Sequence, residues 1–358
     1  MKRRSFLLLL PGLGVSGAAP GAAPAYPPVD AGRTLAFPRD HGAHPDYRTE
    51  WWYATGWLQT QAGAALGFQI TFFRSRPQFD QANPSRFAPR QLLSAHVALS
   101  DPVAGKLQHD QRAVRSGFGL ALADTADTDV YIDDWSLRRE MTGHYRARFP
   151  ARDFTLELTM EPTQQLLLQG ERGYSRKGPL ASQASYYYSQ PGLRVSGTLK
   201  QGSRQQAVHG TAWLDHEWSS ALLADEAVGW DWLGLNLADG GALMAFQIRD
   251  KAGRKFWGGG TLRGSDGQVR ILAPEDVTFM PVRRWRSPRT GTSYPVAMRL
   301  KAGDLTLELT PLMDDQELDS RASTGAVYWE GAVTAWRNGK AVGRGYLELT
   351  GYFQRLNL

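Results

Sequence analysis

The stretch FTLELTME, residues 154–161, alternates apolar and polar side chains with a period of two. Successive side chains of a β-strand point to opposite faces of its sheet, so this alternation buries one face of a strand. The stretch LTLELT at 305–310 repeats the pattern, and the turn signals Asp266-Gly267 and Asn338-Gly339 fall between apolar runs. No long helical periodicity follows residue 26. The chain is therefore predicted to be an all-β protein.

An internal repeat divides the chain into two halves. At an offset of 178 residues, Trp52, Gly56, Phe68 and Ile70 match Trp230, Gly234, Phe246 and Ile248, which also places Tyr53 at the position of Asp231. We expect a first domain at 26–218 and a second at 219–358. Antiparallel meanders of this length, each with one apolar face, pack as sandwiches or close as barrels. We favour two tandem antiparallel β-barrels packed against each other.

Composition and motifs exclude several classes of function. The 358 residues carry a formal net charge of +6, but the positive charges are scattered among acids and form no stripe, so no nucleic-acid partner is expected. The chain has no cysteine, which excludes disulfides, thiolate metal sites and cysteine nucleophiles. It also lacks the Gly-x-Ser-x-Gly and His-Glu-x-x-His motifs, so the common serine and zinc hydrolase chemistries have no support.

The first 25 residues have the layout of a secretion signal. A basic start is followed by an apolar run and by a small-residue site at Ala23-Pro24-Ala25, so cleavage near Ala25 is predicted. The pair Arg3-Arg4 resembles a twin-arginine signal, with a plain basic region as the alternative. The apolar run is broken at Pro11 and is too short to span a bilayer. We expect a periplasmic or secreted protein and leave peripheral contact with a membrane open.

The densest polar cluster is WLDHEWSS at 213–220. In a strand, His216 and Trp218 would share one face, and Asp215 and Glu217 the other. The three ionisable groups cannot converge on one metal ion without a bulge, so no metal site is predicted. The plainer interpretation makes Asp215 and Glu217 ion-pair partners at a rim and His216 a hydrogen-bonded barrel residue.

The stretch GWDWLGLNL at 229–237 places an aspartate between two tryptophans. Asp231 would share a face with Leu233 and Leu235, while Trp230 and Trp232 share the other. Because leucines mark the interior face, we expect Asp231 to point into an apolar barrel near its mouth. Burial there would raise the pKa of the carboxyl and make it a candidate general acid. The alternative is a buried structural carboxyl satisfied by backbone amides.

Several motifs, taken together and in order from about residue 48 to 353, resemble those of one family. EWWYATGWL, AWLDHEWSS, GWDWLGLNLADGG, SPRTGTSYPV, DQELDSR and YWEGAVTA are similar to motifs of the AttH-type family of secreted, tandem lipocalin-like proteins. That family is related to carotenoid 1,2-hydratase, also called hydroxyneurosporene synthase, and many members carry the name predicted secreted hydrolase. The usual arginine of WLDREWSS is His216 here, which brings the chain nearer to the His-x-Trp pattern of the hydratases.

The resemblance implies two lipocalin-like barrels and cofactor-independent hydration of a carbon-carbon double bond in an apolar isoprenoid or lipid. A protonated carboxyl, aromatic faces and a group that orients water would be needed. By motif position Asp231 is the acid, Trp218 and Trp230 stabilise the cation, and His216 orients water. The other predicted substrate contacts are Trp232, Glu50, Trp52, Tyr53, Glu217 and Glu330.

Two other functions compete with the hydratase hypothesis. A periplasmic carrier of lipid or isoprenoid would need an apolar lining and no acid. A structural role would use the aromatic residues only to pack the two barrels. Asp231 separates the three: burial in a ligand-sized cavity favours the enzyme, an ion pair or a rim position favours the carrier, and the lack of a cavity favours the structural role.

Overall fold

A computed structural model describes residues 26–78 and 83–356, so the predicted signal segment 1–25 lies outside the described residues. Within them the chain forms two antiparallel sheets and no α-helix. Short 3-10 turns lie at Arg39–His41 and Pro274–Asp276. The described residues contain no helix that is long and apolar enough to cross a membrane.

The first sheet has 13 strands. Their bounds are β1 Thr49–Thr60, β2 Ala65–Ser75, β3 Leu92–Ser100, β4 Gln108–Arg115, β5 Ala121–Ala123, β6 Asp129–Ile132, β7 Trp135–Arg139, β8 Tyr145–Pro150, β9 Thr155–Pro162, β10 Leu167–Leu168, β11 Tyr174–Arg176, β12 Ala184–Gln201 and β13 Arg204–Ala221. The strand order is β4-β3-β2-β1-β13-β12-β9-β8-β7-β6-β5, and the short strands β10 and β11 pair with β12 beside this path. Strands β3 and β4 also contact β6, so the sheet curls into a nearly closed barrel.

The second sheet has ten strands. Their bounds are β14 Ala227–Leu237, β15 Ala242–Asp250, β16 Lys255–Arg263, β17 Val269–Leu272, β18 Val277–Arg286, β19 Ser293–Ala302, β20 Leu305–Pro311, β21 Glu317–Ser320, β22 Ala326–Arg337 and β23 Lys340–Leu349. The order is β17-β16-β15-β14-β23-β22-β20-β19-β18, and β21 pairs with β22 beside this path. Strands β15 and β16 contact β18, so this sheet also curls. The predicted all-β fold of two antiparallel units packed together is confirmed. The predicted boundary at 218 falls inside β13, which continues to Ala221.

Each sheet encloses its own apolar core, and a third cluster joins the two. The first core includes Phe68, Ile70 and Leu156, and the second includes Leu233, Leu235 and Leu347. The joining cluster is aromatic, with Tyr53, Trp57, Tyr187, Trp213, Trp232, Phe246 and Tyr346 among its buried members. At the joint, a Cβ added to Gly67 would lie only 2.6 Å from Ala332 Cβ, so this glycine permits the close approach of the sheets.

The internal repeat is present, but its predicted offset of 178 is wrong by one residue. Gly56 pairs with Phe68 across its hairpin, whereas Gly234 pairs with Met244 and not with Phe246. The hairpin loops place Gly63 and Gly240, both with positive φ, at the same position, which is an offset of 177. A slip of one residue exchanges the two faces of a strand. Tyr53 therefore corresponds to Trp230 and not to Asp231.

Candidate active site

The site is a cavity of about 80 Å³ between the two sheets. Strand alternation directs Trp51 and Tyr53 of β1, Asp215 and Glu217 of β13, and Trp230 and Trp232 of β14 into it. Apolar walls are completed by Phe73, Leu222, Leu223, Phe246 and Ile248, and further polar groups by Lys177, Tyr187, Glu330 and Glu348. A largely apolar cavity with a few convergent polar groups is typical of a small-molecule site.

Two glutamates face each other on the second-sheet side of the cavity. Glu330 of β22 and Glu348 of β23 are direct cross-strand partners, so their side chains leave the sheet on the same face. Burial and then the neighbouring Glu348 raise the pKa of Glu330 well above its usual value. Burial raises the pKa of Glu348 to about 8; a hydrogen bond from Trp230 opposes the shift, and the charges of Asp215 and Glu217 add to it. The pair therefore retains a proton at neutral pH.

Tyr53 connects this pair to the first sheet. Its hydroxyl donates a hydrogen bond of 2.6 Å to Glu330 Oε2, and burial followed by the nearby carboxyls raises the pKa of the phenol well above its usual value. The ring of Tyr53 meets the ring of Trp232 edge to face at 5.2 Å. The phenol thus remains protonated, and the bond fixes Glu330 relative to the first sheet.

Asp215 is the most firmly held carboxyl on the first-sheet side. Its oxygens accept hydrogen bonds from Tyr187 Oη at 2.6 Å, Ser189 Oγ at 2.5 Å and Trp213 Nε1 at 2.7 Å. Burial raises the pKa of Asp215 to about 7, and these three donors limit the rise. Trp232 Nε1 donates to Tyr187 Oη at 3.0 Å, which extends the network to the second sheet. Asp215 is therefore oriented as a hydrogen-bond acceptor beside the cavity.

Glu217 pairs with the one lysine or arginine among the described residues that line the cavity. Lys177 Nζ lies 3.0 Å from Glu217 Oε1, and Ser185 Oγ donates to the same oxygen. The ammonium also lies 4.4 Å from the ring centre of Phe246. Four carboxyls thus share a buried space with a single ammonium. Since like charges in a poorly solvated site disfavour ionisation, not all four are ionised together.

The opposite faces of β1 and β13 carry a second polar cluster, inside the first barrel. Glu50 is fully buried and accepts hydrogen bonds from Arg74 Nε at 2.7 Å, His44 Nδ1 at 2.7 Å and His216 Nε2 at 2.8 Å. Burial alone would raise the pKa of Glu50, but Arg74 and the histidines outweigh it and hold the pKa well below its usual value. Burial lowers the pKa of His216. Trp218 stacks on His44 at 3.7 Å.

This second cluster contains donor types that metal ions accept. Ligand atoms of His44, Glu50 and His216 lie within 4.8 Å of one another. They fit a metal poorly, because Arg74 places a positive charge directly on Glu50 and the three groups already satisfy one another by hydrogen bonds. Sequence reasoning compared His216 only with its strand neighbours and missed His44, which comes from the segment before β1. We assign the cluster a structural role.

Asp231 lies on the predicted interior face of β14, with Leu233 and Leu235, but outside the cavity between the sheets. Arg249 Nε lies 3.1 Å from its Oδ1, and Tyr352 donates a hydrogen bond of 2.9 Å to the same oxygen. Burial raises the pKa of Asp231, opposed by Arg249. The carboxyl is therefore ion-paired in the second barrel and does not face the cavity.

The predicted site residues thus separate into three places. Those in the cavity are Tyr53, Glu217, Trp230, Trp232 and Glu330; those inside the first barrel are Glu50, Trp52, His216 and Trp218; and Asp231 is in the second barrel. Sequence reasoning did not select Lys177, Tyr187 or Glu348, and it gave Asp215 only a role at a rim. The signal that was available for Asp215 is its alternation with Glu217, which puts both carboxyls on one face.

Comparison with known proteins agrees with this architecture. The AttH-like family model matches residues 28–352. A crystal structure from Nitrosomonas europaea, described as an AttH, is 58% identical, covers 91% of this chain and 99% of its own, and superposes with a TM-score of 0.86. Kievitone hydratase from Nectria haematococca shares the fold at 15% identity, with 93% of this chain and 98% of its own covered and a TM-score of 0.69. No curated protein matches the chain. The chain belongs to the AttH-like family.

Proposed function

We propose that the protein is a hydratase-like enzyme that adds water to a carbon-carbon double bond of an apolar isoprenoid or lipid in the cavity between the sheets. One observation carries the proposal: a cavity with aromatic walls holds the proton-retaining pair Glu330–Glu348 together with the hydrogen-bonded carboxyl of Asp215. The name of the structural neighbour kievitone hydratase supports hydration as the reaction. The carboxyls support it because they can donate and accept the protons that hydration requires.

The reaction begins with proton transfer from the Glu348 carboxyl to one alkene carbon. The π electrons form the new C–H bond, and the other carbon becomes a carbocation. A water molecule attacks that carbon and forms the C–O bond, while its surplus proton passes to the Asp215 carboxylate. Return of this proton to Glu348 through water completes the cycle, and the sum is alkene plus water giving alcohol.

Each wall of the cavity has a part in this scheme. Trp230, Trp232 and Phe246 present aromatic rings to the cavity and would stabilise the carbocation through their π faces. Tyr53 holds Glu330 beside Glu348, so that the pair keeps its proton. Tyr187 orients Asp215 toward the acceptor role. Leu222 and Leu223 help to exclude bulk water, which would otherwise quench the cation.

A non-catalytic lipid or isoprenoid carrier remains the second candidate, because the ion pair of Asp231 with Arg249 is the arrangement expected for a carrier. The two functions require the same apolar cavity. They differ in whether the carboxyls transfer protons. For either function we propose export to the periplasm or beyond, which separation of cell fractions followed by N-terminal sequencing would test.

The experiment is to incubate the purified protein with an isoprenoid-rich lipid extract in water enriched in ¹⁸O and to search for labelled alcohols by mass spectrometry. A product with one ¹⁸O that is lost in Glu348→Gln supports the hydratase. Glu226→Gln, at an exposed glutamate, is the matched control. Retention of an unlabelled apolar molecule without any labelled product would support the carrier and refute the hydratase.

A further inference from the structure

Two loops of the first sheet bring exposed aromatic side chains together. Phe87, in the loop between β2 and β3, is 69% exposed, and Phe118, in the loop between β4 and β5, is 53% exposed. Their rings stack with centres 5.5 Å apart, and Leu120 beside Phe118 is exposed as well. We call these three residues the phenylalanine patch. Large apolar side chains that cluster in contact with water are typical of an interaction surface.

The backbone of Phe118 does not favour an aromatic residue at this position. Its φ is 58°, in the left-handed region where bulky side chains are uncommon, and Gly117 and Gly119 on either side also have positive φ. A third glycine would fit the loop with less strain. The local fold therefore does not account for the phenylalanine.

Two arginines border the patch. The Arg115 guanidinium lies 4.8 Å from the ring centre of Phe118 and 5.0 Å from that of Phe87, and the Arg86 guanidinium lies 5.9 Å from the ring centre of Phe118. Arg115 Nη1 also donates a hydrogen bond of 2.8 Å to the backbone oxygen of Phe87, which joins the two loops. Aromatic faces attract these cations without neutralising them.

Neither Arg86 nor Arg115 lies within ion-pair distance of a carboxylate in the described part of the chain. In contrast, Arg112 on the same strand as Arg115 is paired with Asp134 at 2.6 Å. The described loop residues 83–91 and 116–120 include no aspartate or glutamate. The patch therefore combines exposed rings with positive charge that no neighbouring acid balances.

The patch lies next to a second cavity, of about 650 Å³. Arg115 is the cross-strand partner of Leu92, and Val114 is that of Leu93. The second cavity is lined by Leu92, Leu93 and Val114, and it shares with the reaction cavity the wall residues Thr49, Phe73, Trp230 and Glu348. An apolar molecule that leaves a lipid phase at the patch thus meets a continuous apolar wall that extends to the reaction cavity.

We propose that the phenylalanine patch docks the protein on the surface of an anionic lipid bilayer, from which the apolar ligand enters the second cavity. A bilayer fits both parts of the patch, because aromatic rings insert at the boundary of the acyl chains while arginines remain at the depth of the anionic head groups. The inference goes beyond the proposed function. It needs only an apolar ligand, which the hydratase and the carrier share.

The test measures co-sedimentation of the purified protein with vesicles of phosphatidylcholine alone and of phosphatidylcholine mixed with phosphatidylglycerol. Phe87→Ser/Phe118→Ser is expected to weaken binding to the mixed vesicles at least roughly tenfold, because two side chains lose their insertion into the bilayer. Val103→Ser/Met141→Ser is the matched control, since these side chains are 92% and 105% exposed elsewhere on the surface, and it is expected to bind like the wild type.

The charge is tested with a second pair of variants. We expect the wild type to bind the mixed vesicles roughly fivefold or more tightly than phosphatidylcholine alone, and Arg86→Gln/Arg115→Gln to lose most of this preference. The control Arg146→Gln/Arg299→Gln removes the same charge at two arginines paired with glutamates on the outer surface, and it is expected to keep the preference.

Three results would overturn the proposal. The first is a wild type that binds neither kind of vesicle, and the second is a folded Phe87→Ser/Phe118→Ser protein that binds as tightly as the wild type. The third is a dimer in lipid-free sedimentation that this variant abolishes, which would assign the patch to a second copy of the chain. Vesicle binding is measured separately from ¹⁸O incorporation. Binding without hydration would therefore refute the proposed reaction and leave the docking surface standing, whereas hydration by a protein that binds no vesicles would do the reverse.

Discussion

Replacing Glu348 by glutamine is expected to stabilise the protein, and increasingly so as the pH rises. The folded state raises the pKa of Glu348 from 4.5 to about 8. Below pH 4.5 the carboxyl is neutral in both the folded and the unfolded chain, so the substitution changes little. Between pH 4.5 and about 8, Glu348 ionises in the unfolded chain but stays protonated in the folded one. The wild type therefore loses stability over this range, whereas Glu348→Gln, which carries a neutral amide, does not.

The magnitude follows from this change in proton affinity. Each tenfold change is worth about 1.4 kcal/mol, so the full difference above pH 8 is at most about 5 kcal/mol. Glu348 is half-buried and faces a cavity that water can enter, which lowers the figure. We therefore expect Glu348→Gln to raise the free energy of unfolding by about 2 to 4 kcal/mol at pH 9 and by less than about 1 kcal/mol at pH 4.5.

The assay is urea unfolding followed by tryptophan fluorescence at pH 4.5, 7 and 9. Glu226→Gln is the matched control, because Glu226 is exposed and its replacement is expected to change stability equally little at every pH. A difference between Glu348→Gln and the wild type that is constant across pH, or one that decreases as the pH rises, would refute the reasoning that the cavity keeps this carboxyl protonated.

Three other predictions follow from the same structure. Catalysis requires Asp215 ionised and Glu348 protonated, so kcat/KM is expected to fall below pH 7 and above pH 8; a rate that stays constant from pH 5 to 10 would contradict these roles. Glu50→Gln leaves Arg74 buried without its counter-charge and is expected to cost about 3 to 5 kcal/mol in urea unfolding, whereas a loss below about 1 kcal/mol would show that the pair is dispensable. Trp232→Phe removes the hydrogen bond to Tyr187 but keeps an aromatic wall, so we expect a loss of about 1 kcal/mol in stability, and an unchanged unfolding midpoint would count against the bond.

Strand alternation predicted the orientation of side chains well. In the structure, as predicted, Asp231 lies on the opposite face of β14 from Trp230 and Trp232. His216 likewise lies on the opposite face of β13 from Asp215. What alternation cannot provide is the choice of face. Both faces of β14 are apolar, because one packs in the second barrel and the other against the first sheet. The sequence pattern therefore cannot decide whether the face with Asp231 or the face with Trp230 and Trp232 lines the functional cavity.

Glu348 also shows that local sequence does not determine which surroundings a side chain faces. The letters Leu-Glu-Leu-Thr occur at 156–159 and again at 347–350. Glu157 is exposed on the outside of the first barrel, whereas Glu348 lies between the sheets. The local sequence is identical, so only the packing of one barrel against the other distinguishes a solvated charge from a candidate acid.

The predicted repeat is one residue out of register because matched letters do not show which face of a strand a residue occupies. Trp52 packs inside the first barrel and Trp230 in the cavity, so identical residues occupy opposite faces. The loop positions of Gly63 and Gly240 give the correct register, since a positive φ in a hairpin loop is a stricter constraint than a tryptophan in a strand.

The most direct test of the central claim, that proton transfer occurs in the cavity between the sheets, is ¹⁸O incorporation by Glu348→Gln and Asp231→Asn measured side by side. Both variants replace one carboxyl by an amide at nearly constant volume. The account predicts that Glu348→Gln loses the labelled alcohol and that Asp231→Asn, if folded, retains it. Loss of the label in a folded Asp231→Asn, together with its retention in Glu348→Gln, would contradict the account. It would instead identify Asp231, in the second barrel, as the general acid.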